Sequence, residues 1–359
     1  WSAPPFSPFS SAPMKSSHAA QASRLAERLQ AVARLPLACF PELHTLQKLI
    51  ACARGFADLQ PTALPDSLEL GAFMKQGSFG QVYHGRWQGQ EVAIKVTTGE
   101  DVAEAHLMMS IAHPNVVKAH FFKQVEDSIN GKQTWLVQEF CNNGTWGDHC
   151  ATPRMASSGL HEALEMCVEV SAALSWLHSH KILHGDLADS NVLLTSCSSW
   201  KGFQCKVADF GSACIVPKGV DKVRSSAMGT VTFLAPECLD PDSAEQFQTP
   251  QRDVFAFARL MWQAFSGRKP FCGCSAVQVV LLVSQGATLS LCEEAPEALK
   301  KLHDACAAQE PQRRPTSTTA LRKLRALYLS ATSKFPRLLG WAGLTSKAEP
   351  CGSSVGQPS

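Results

Sequence analysis

The sequence predicts an α+β protein built as two lobes, a small antiparallel β-rich lobe followed by a larger α-helical one, with a cleft between them. Three observations carry this. Residues 68–96, LELGAFMKQGSFGQVYHGRWQGQEVAIKV, alternate apolar and polar positions in three short runs broken by Gly77, Gly80, Gly85 and Gly89, the pattern of strands joined by tight turns. Residues 160–180, LHEALEMCVEVSAALSWLHSH, place apolar residues at helical spacing over about five turns. The stretch from Asp253 to Leu327 is again helical in character, and no motif recurs at a fixed period.

Taken in order, residues 1–66 form a low-complexity and amphipathic segment. Residues 2–23 are rich in Ser, Ala and Pro and bury too little apolar surface to fold alone. In ASRLAERLQAVARL, 22–35, Leu25, Leu29, Val32 and Leu35 fall at helical spacing among Arg24, Arg28 and Arg34. Organelle transit peptides share that composition; the preferred reading is a short amphipathic helix packed on the main domain. Beginning on Trp1, the chain is expected to be a fragment or a processed product. The first lobe is expected over 67–141: the three meander strands, a helix in DVAEAHLMMSIA, and two further strands in HPNVVKAHFF and TWLVQEF. The second lobe, 142–328, holds the long helix, short strands in ILHG, NVLL and KVADF, and then helices. Residues 329–359, rich in Ser, Gly and Pro, are expected to be a disordered tail.

Composition narrows the function classes. Lys+Arg number 33 against 31 Asp+Glu, a net charge of +2, so no whole-chain basic field draws the protein to nucleic acid or to membranes. No apolar run approaches the ~20 residues needed to cross a bilayer. Neither a nucleic-acid partner nor a membrane span is expected, and the expected location is cytoplasmic, with organelle targeting by the N-terminal segment left open. The 14 cysteines lack the paired CxxC spacing of zinc sites and are expected to be mostly small buried apolar residues in a reducing compartment.

The motifs sit in the strands and turns. QGSFGQV lies on a turn where small residues let backbone N–H groups approach an anion. VAIK places Lys95 inside an otherwise apolar strand, which is costly unless the ammonium is paired, and Glu104 on the next helix is the natural partner. In HGDLADSN, Asp186 is suited to accept from or orient a hydroxyl, and Asn191 offers an oxygen to a hard cation. VADFG supplies a second such oxygen from Asp209, with Gly211 permitting a sharp turn.

In this order the motifs resemble those of the eukaryotic protein kinases, over residues 68–328. APE at 235–237, Asp253 in RDVFAFARLMW and Arg314 in QRRPT extend the match, and LVQEFCNNG with GTVTFLAPE is most similar to the tyrosine-kinase-like group of Ser/Thr kinases. The resemblance implies a bilobal fold with ATP in the cleft and protein substrates. Met74, Val82, Ala93 and Leu193 would sandwich the adenine ring. Gln138 would be the gatekeeper, and the backbone of Glu139 and Cys141 the hinge. Gly77, Ser78, Phe79 and Gly80 would cover the phosphates, with Lys95, fixed by Glu104, on the α- and β-phosphates. Asp209 and Asn191 would hold Mg²⁺, or Mn²⁺ in its place, Asp186 would orient the attacking hydroxyl, and Arg314 would pair with Glu237.

Four departures qualify the resemblance. Lys75 stands in place of the first glycine of the phosphate-covering turn. Only eight residues separate Lys95 from Glu104; extended, they span about 26 Å, so the ion pair is reachable. Ala188 stands where Ser/Thr kinases carry a Lys, and Ser190 where tyrosine kinases carry an Arg. Loss of one cation near the transferring group is expected to slow transfer by about 2–4 kcal/mol of barrier, unless Lys75 or Lys218 substitutes. Gly185 stands where most kinases carry the Arg that binds a phosphorylated activation loop, so basal activity is expected not to need phosphorylation there. The expected function is Ser/Thr-directed, on the strength of Thr230 in the GT before APE. The alternatives are an ATP-binding pseudokinase scaffold and, last, a small-molecule phosphotransferase, which does not explain GTVTFLAPE.

Overall fold

The computed structural model describes residues 67–333, apart from 78–79, 100–101, 128–130, 152–153, 218, 221, 225–228, 240–246 and 294. The expected N-terminal segment, Ser78, Phe79, Lys218 and residues 334–359 lie outside the described residues.

The expected two-lobed architecture is present. Strands β1 (Leu68–Gly77), β2 (Gly80–Trp87), β3 (Gln90–Thr98), β4 (Ala119–Asp127) and β5 (Gly131–Glu139) form one sheet in the order β1-β2-β3-β5-β4. All of its pairings are antiparallel. The β2–β3 hairpin turns on Gln88 and Gly89, both at positive φ (51° and 79°), the mirror-image turn that matches strand twist. Alternation along β3 sends Val92, Ile94 and Val96 into a small core with Val137 on one face. Ala93 and Lys95 take the other face.

Helix α1 (Ala103–Ser110) lies between β3 and β4 in the chain. It buries Ala103, Ala105, Leu107 and Met108 on more than one side, because it is packed between the sheet and the second lobe. In the second lobe, α2 (Trp146–Cys150) starts on a capping box in which Thr145 and Asp148 satisfy each other's backbone N–H groups. Helix α3 (Arg154–Ser179) is the expected long helix. It is followed by β6 (Ile182–Leu183), β7 (Val192–Ser196), β8 (Phe203–Val207), β9 (Cys214–Ile215), β10 (Val223–Arg224) and β11 (Phe247–Gln248). Helices α4 (Pro250–Ser266), α5 (Ala276–Ser284), α6 (Glu297–Cys306) and α7 (Ser317–Ser333) complete the lobe. One apolar core runs from Leu107 and Met108 of α1 through Leu174 of α3 and Met261 of α4 to Leu324 of α7, so the lobes share it.

Three expectations need correction. The strand expected in KVADF stops at Val207, because β8 follows β7 only that far and Ala208–Phe210 leave the ladder. The tail expected from residue 329 begins instead as helix: α7 continues to Ser333. Its end is held because the Tyr328 ring stacks on His161 at 4.6 Å and its hydroxyl donates to Glu165 at 3.1 Å. Of the 11 described cysteines five are buried and four exposed, so burial does not account for most of them.

Candidate active site

The cleft face of the sheet assembles the first group. Lys95 projects from β3, and its Nζ lies 2.6 Å from Glu104 Oε1 and 2.7 Å from Asp209 Oδ1. Burial works to lower the ammonium pKa, but the two carboxylates outweigh it and hold Lys95 above its ordinary value. Burial likewise acts to raise Asp209, and Lys95 overrides it, leaving that carboxyl below the usual range. Glu104 goes the other way: burial pushes it up despite the pull of Lys95. The short link between Lys95 and Glu104 therefore does not prevent the pair. Asp209 itself sits at φ 62°, a conformation unusual for a residue with a side chain, and its Oδ1 accepts from Gly211 N at 3.4 Å. The next residue, Phe210, is fully buried against the ring of His184, 4.9 Å away between centroids.

The second group hangs from β6. Asp253, 2 % exposed at the start of α4, accepts from the backbone N–H groups of His184 (2.9 Å) and Gly185 (3.0 Å) and from His178 Nε2–H (2.9 Å). Burial alone would raise its carboxyl; His178 and His184 hold it down. His184 Nε2–H donates to the Ala208 carbonyl at 3.0 Å while Nδ1 accepts from Asp186 N, so one imidazole joins the Asp186 loop to the Asp209 segment. Asp186 Oδ1 accepts from Thr230 N (2.7 Å) and Thr230 Oγ1 (2.8 Å). Asn191 donates through Nδ2 to the Asp186 carbonyl at 2.8 Å, and its Oδ1 accepts from Ser190 Oγ at 3.3 Å, so the amide is oriented from both ends. A pocket at this point is lined by Gly185, Asp186, Gly229, Thr230, Leu234 and Asp253.

Strand register places the remaining expected residues. Val82 opposes Lys95, and Ala93 opposes Gln138, so these side chains share the cleft face with Lys95. Lys75 opposes Val82 and joins that face, and it does so at an ordinary negative φ that needs no glycine. Met74 is exposed on β1, and Leu193 rises from β7 in the other lobe. At the crossover Glu139 is locked by Lys206 Nζ (2.8 Å) and by the backbone N–H of Lys118 (2.6 Å). Beside it the half-buried Cys141 thiol is pushed up to about 12 by burial and by Glu139, far from a reactive thiolate. The Arg314–Glu237 pair is present and bidentate, both contacts at 2.7 Å.

Ala188 is fully buried in the shared core, and among the described residues the Asp186 carboxylate takes its hydrogen bonds from Thr230 and Asn191, not from a cation. Sequence reasoning gave His178 and Gln248 no part in the site. His178 carried no motif, and Gln248 acts across 63 residues of chain on Gly185.

A family model described as protein tyrosine and serine/threonine kinase matches residues 68–324. The tyrosine-protein kinase SRK3 of Spongilla lacustris is 28% identical over 273 residues, covering 74% of this chain and 78% of that protein. Human cytoplasmic tyrosine-protein kinase BMX is 30% identical over 312 residues (79% of this chain, 43% of BMX). Human mitogen-activated protein kinase kinase kinase 11 is 30% identical over 280 residues (73% of this chain, 31% of that protein). The chain thus spans most of the first and less than half of the other two. Relatives of both specificities carry the same domain, and with the family model matching well over half its length this chain belongs to the protein tyrosine and serine/threonine kinase family.

Proposed function

We propose that the protein transfers the γ-phosphate of ATP to Ser and Thr hydroxyls of protein substrates. One observation carries the reading: a single ammonium, Lys95, is bonded at once to Glu104 and to Asp209, so the phosphate anchor, the helix and the metal ligand are already in mutual register. The donor set fits a hard cation: the Asp209 carboxylate and the Asn191 amide oxygen are the oxygen ligands Mg²⁺ takes, with phosphates and water supplying the rest. Bound there, Mg²⁺ would neutralise charge on the transferring phosphoryl group. This chain's own residues orient and bind. Lys95 holds the α- and β-phosphates; Val82, Ala93, Met74 and Leu193 enclose the adenine; Gln138 and the backbone of Glu139 and Cys141 form its outer edge. Asp186 receives the substrate hydroxyl at an oriented carboxylate, its Oδ1 fixed by both donors of Thr230. The Thr230 contact supports Ser/Thr specificity, because a side-chain hydroxyl already lies at Asp186 in the floor of the peptide site.

A nucleotide-binding scaffold without phosphotransfer is the second reading, favoured by the sealed position of Ala188 and the absence of a cation from the described bonds of Asp186. Transfer of labelled γ-phosphate to a generic basic protein, wild type beside Asp186→Asn, separates the two. Labelled phosphoserine and phosphothreonine above the Asp186→Asn level support the kinase. No difference supports the scaffold, and phosphotyrosine alone overturns the specificity.

A further inference from the structure

Gly185 bends the catalytic loop at φ 79° with a packed neighbour where its side chain would be. A Cβ there would meet Gln248 Nε2 at 2.5 Å, the Ser212 carbonyl oxygen at 2.6 Å and Gln248 Oε1 at 2.7 Å. Gln248 is 1 % exposed. Its Nε2 donates to the Ser212 carbonyl at 2.9 Å, and its Oε1 accepts from the Cys214 thiol at 3.1 Å. Both partners lie just past Asp209, at the start of the activation segment that runs on toward Glu237. The backbone of Gln248 meanwhile pairs with Val223, well along the same segment. Its neighbour Phe247 carries the Lys222 ammonium 3.9 Å above the ring, and the Phe247 carbonyl accepts from Arg252 at 2.9 Å. One neutral amide therefore abuts the catalytic loop, bonds the beginning of the activation segment and is paired to its middle. Breaking these two buried bonds would cost the amide and the Ser212 carbonyl their partners in a site closed to water, which favours this arrangement.

We propose that Gln248 is a positioning residue that holds the activation segment against the catalytic loop without phosphorylation, in space that exists because Gly185 has no side chain. Only the activity part of the test rests on the kinase reading.

Hydrogen exchange on the full chain without nucleotide reads the anchor directly. Gln248→Met keeps the volume and removes the amide; it accelerates exchange of amides over 211–224 by tenfold or more, while α3 stays as in wild type. Gly185→Ala strikes the same contact from the other side and supplies the variant should Gln248→Met fail to fold. Because the two share one contact, the double variant is less perturbed than the sum of the singles. Exchange within twofold of wild type in the folded variants, or additive effects, overturns the proposal. In the activity arm, phosphatase-treated wild type keeps its rate within twofold, and treated Gln248→Met loses at least tenfold in kcat with an unchanged KM for ATP. A tenfold loss on phosphatase treatment of wild type also overturns it. If wild type transfers no phosphate at all, the kinase reading fails, and exchange still decides the role of Gln248.

Discussion

Lys95→Met replaces a buried ammonium by an uncharged side chain of similar length. The Lys95 side chain is 8% exposed, and the substitution leaves Glu104 (17%) and Asp209 (23%) facing one another with no cation between them. Removing one partner of a buried ion pair costs about 3–5 kcal/mol; the residual access of both carboxylates to water points to the lower end, about 3. At about 2–4 °C per kcal/mol for a domain of this size, Tm falls by roughly 6–12 °C. The loss depends on pH. Burial already pushes the Glu104 carboxyl up, and without Lys95 the neighbouring Asp209 pushes it further. A group whose folded pKa lies above its unfolded value stabilises fully below the unfolded pKa, and that stabilisation fades as pH rises through the folded one. The deficit of the variant against wild type therefore grows as pH rises above the ordinary carboxylate pKa of about 4.3 and through the raised pKa of Glu104, with a limiting slope of about 1.4 kcal/mol per pH unit for one proton. Melting followed by circular dichroism across that range, beside a γ-phosphate transfer assay, checks both halves. The expected outcome is a folded protein without phosphotransfer whose Tm deficit widens with pH. A deficit that is flat with pH, or transfer at the wild-type rate, refutes the reasoning about this triad.

Three further outcomes are expected. Lys75→Ala weakens ATP binding by roughly tenfold, about 1.4 kcal/mol, and leaves adenosine binding unchanged, because the side chain shares the cleft face with Lys95, the proposed phosphate anchor; equal losses for both ligands in calorimetry contradict this. Thr230→Val removes a hydrogen bond to a carboxylate, about 1.5–3 kcal/mol, so kcat falls tenfold or more while Thr230→Ser retains most of it; a valine variant with wild-type kcat rules out the contact. Arg314→Met leaves Glu237 without its bidentate partner, costing about 3–5 kcal/mol, and an unchanged Tm counts against it.

Much of this site was legible in the sequence because its chemistry uses residues that are expensive elsewhere. A Lys inside an apolar strand needs a carboxylate, and Lys95 has two. The meander was legible because period-two alternation and turn glycines are local signals. Strands β10 and β11, two residues each, have no period to read. Gln248 was silent for a different reason: a glutamine in isolation is an ordinary polar residue, and its role appears only when Gly185 is packed against it. The continuation of α7 depended on Tyr328 finding Glu165, a contact across 163 residues that no local pattern encodes.

The brevity of α1 bears on which small molecules can act on this protein. Eight residues make a rod about 12 Å long, and within that length Ala103, Ala105, Leu107 and Met108 are all buried. A compound that wedges behind an outward-swung helix must expose Leu107 and Met108, at about 1.5–3 kcal/mol each, before it gains any contact of its own. Electrophilic warheads aimed at Cys141 fare no better, since its thiol ionises only near about 12. A ligand that leaves α1 where it is, and reaches instead for the Gln138 amide beside Ala93 on the same sheet face, avoids both costs.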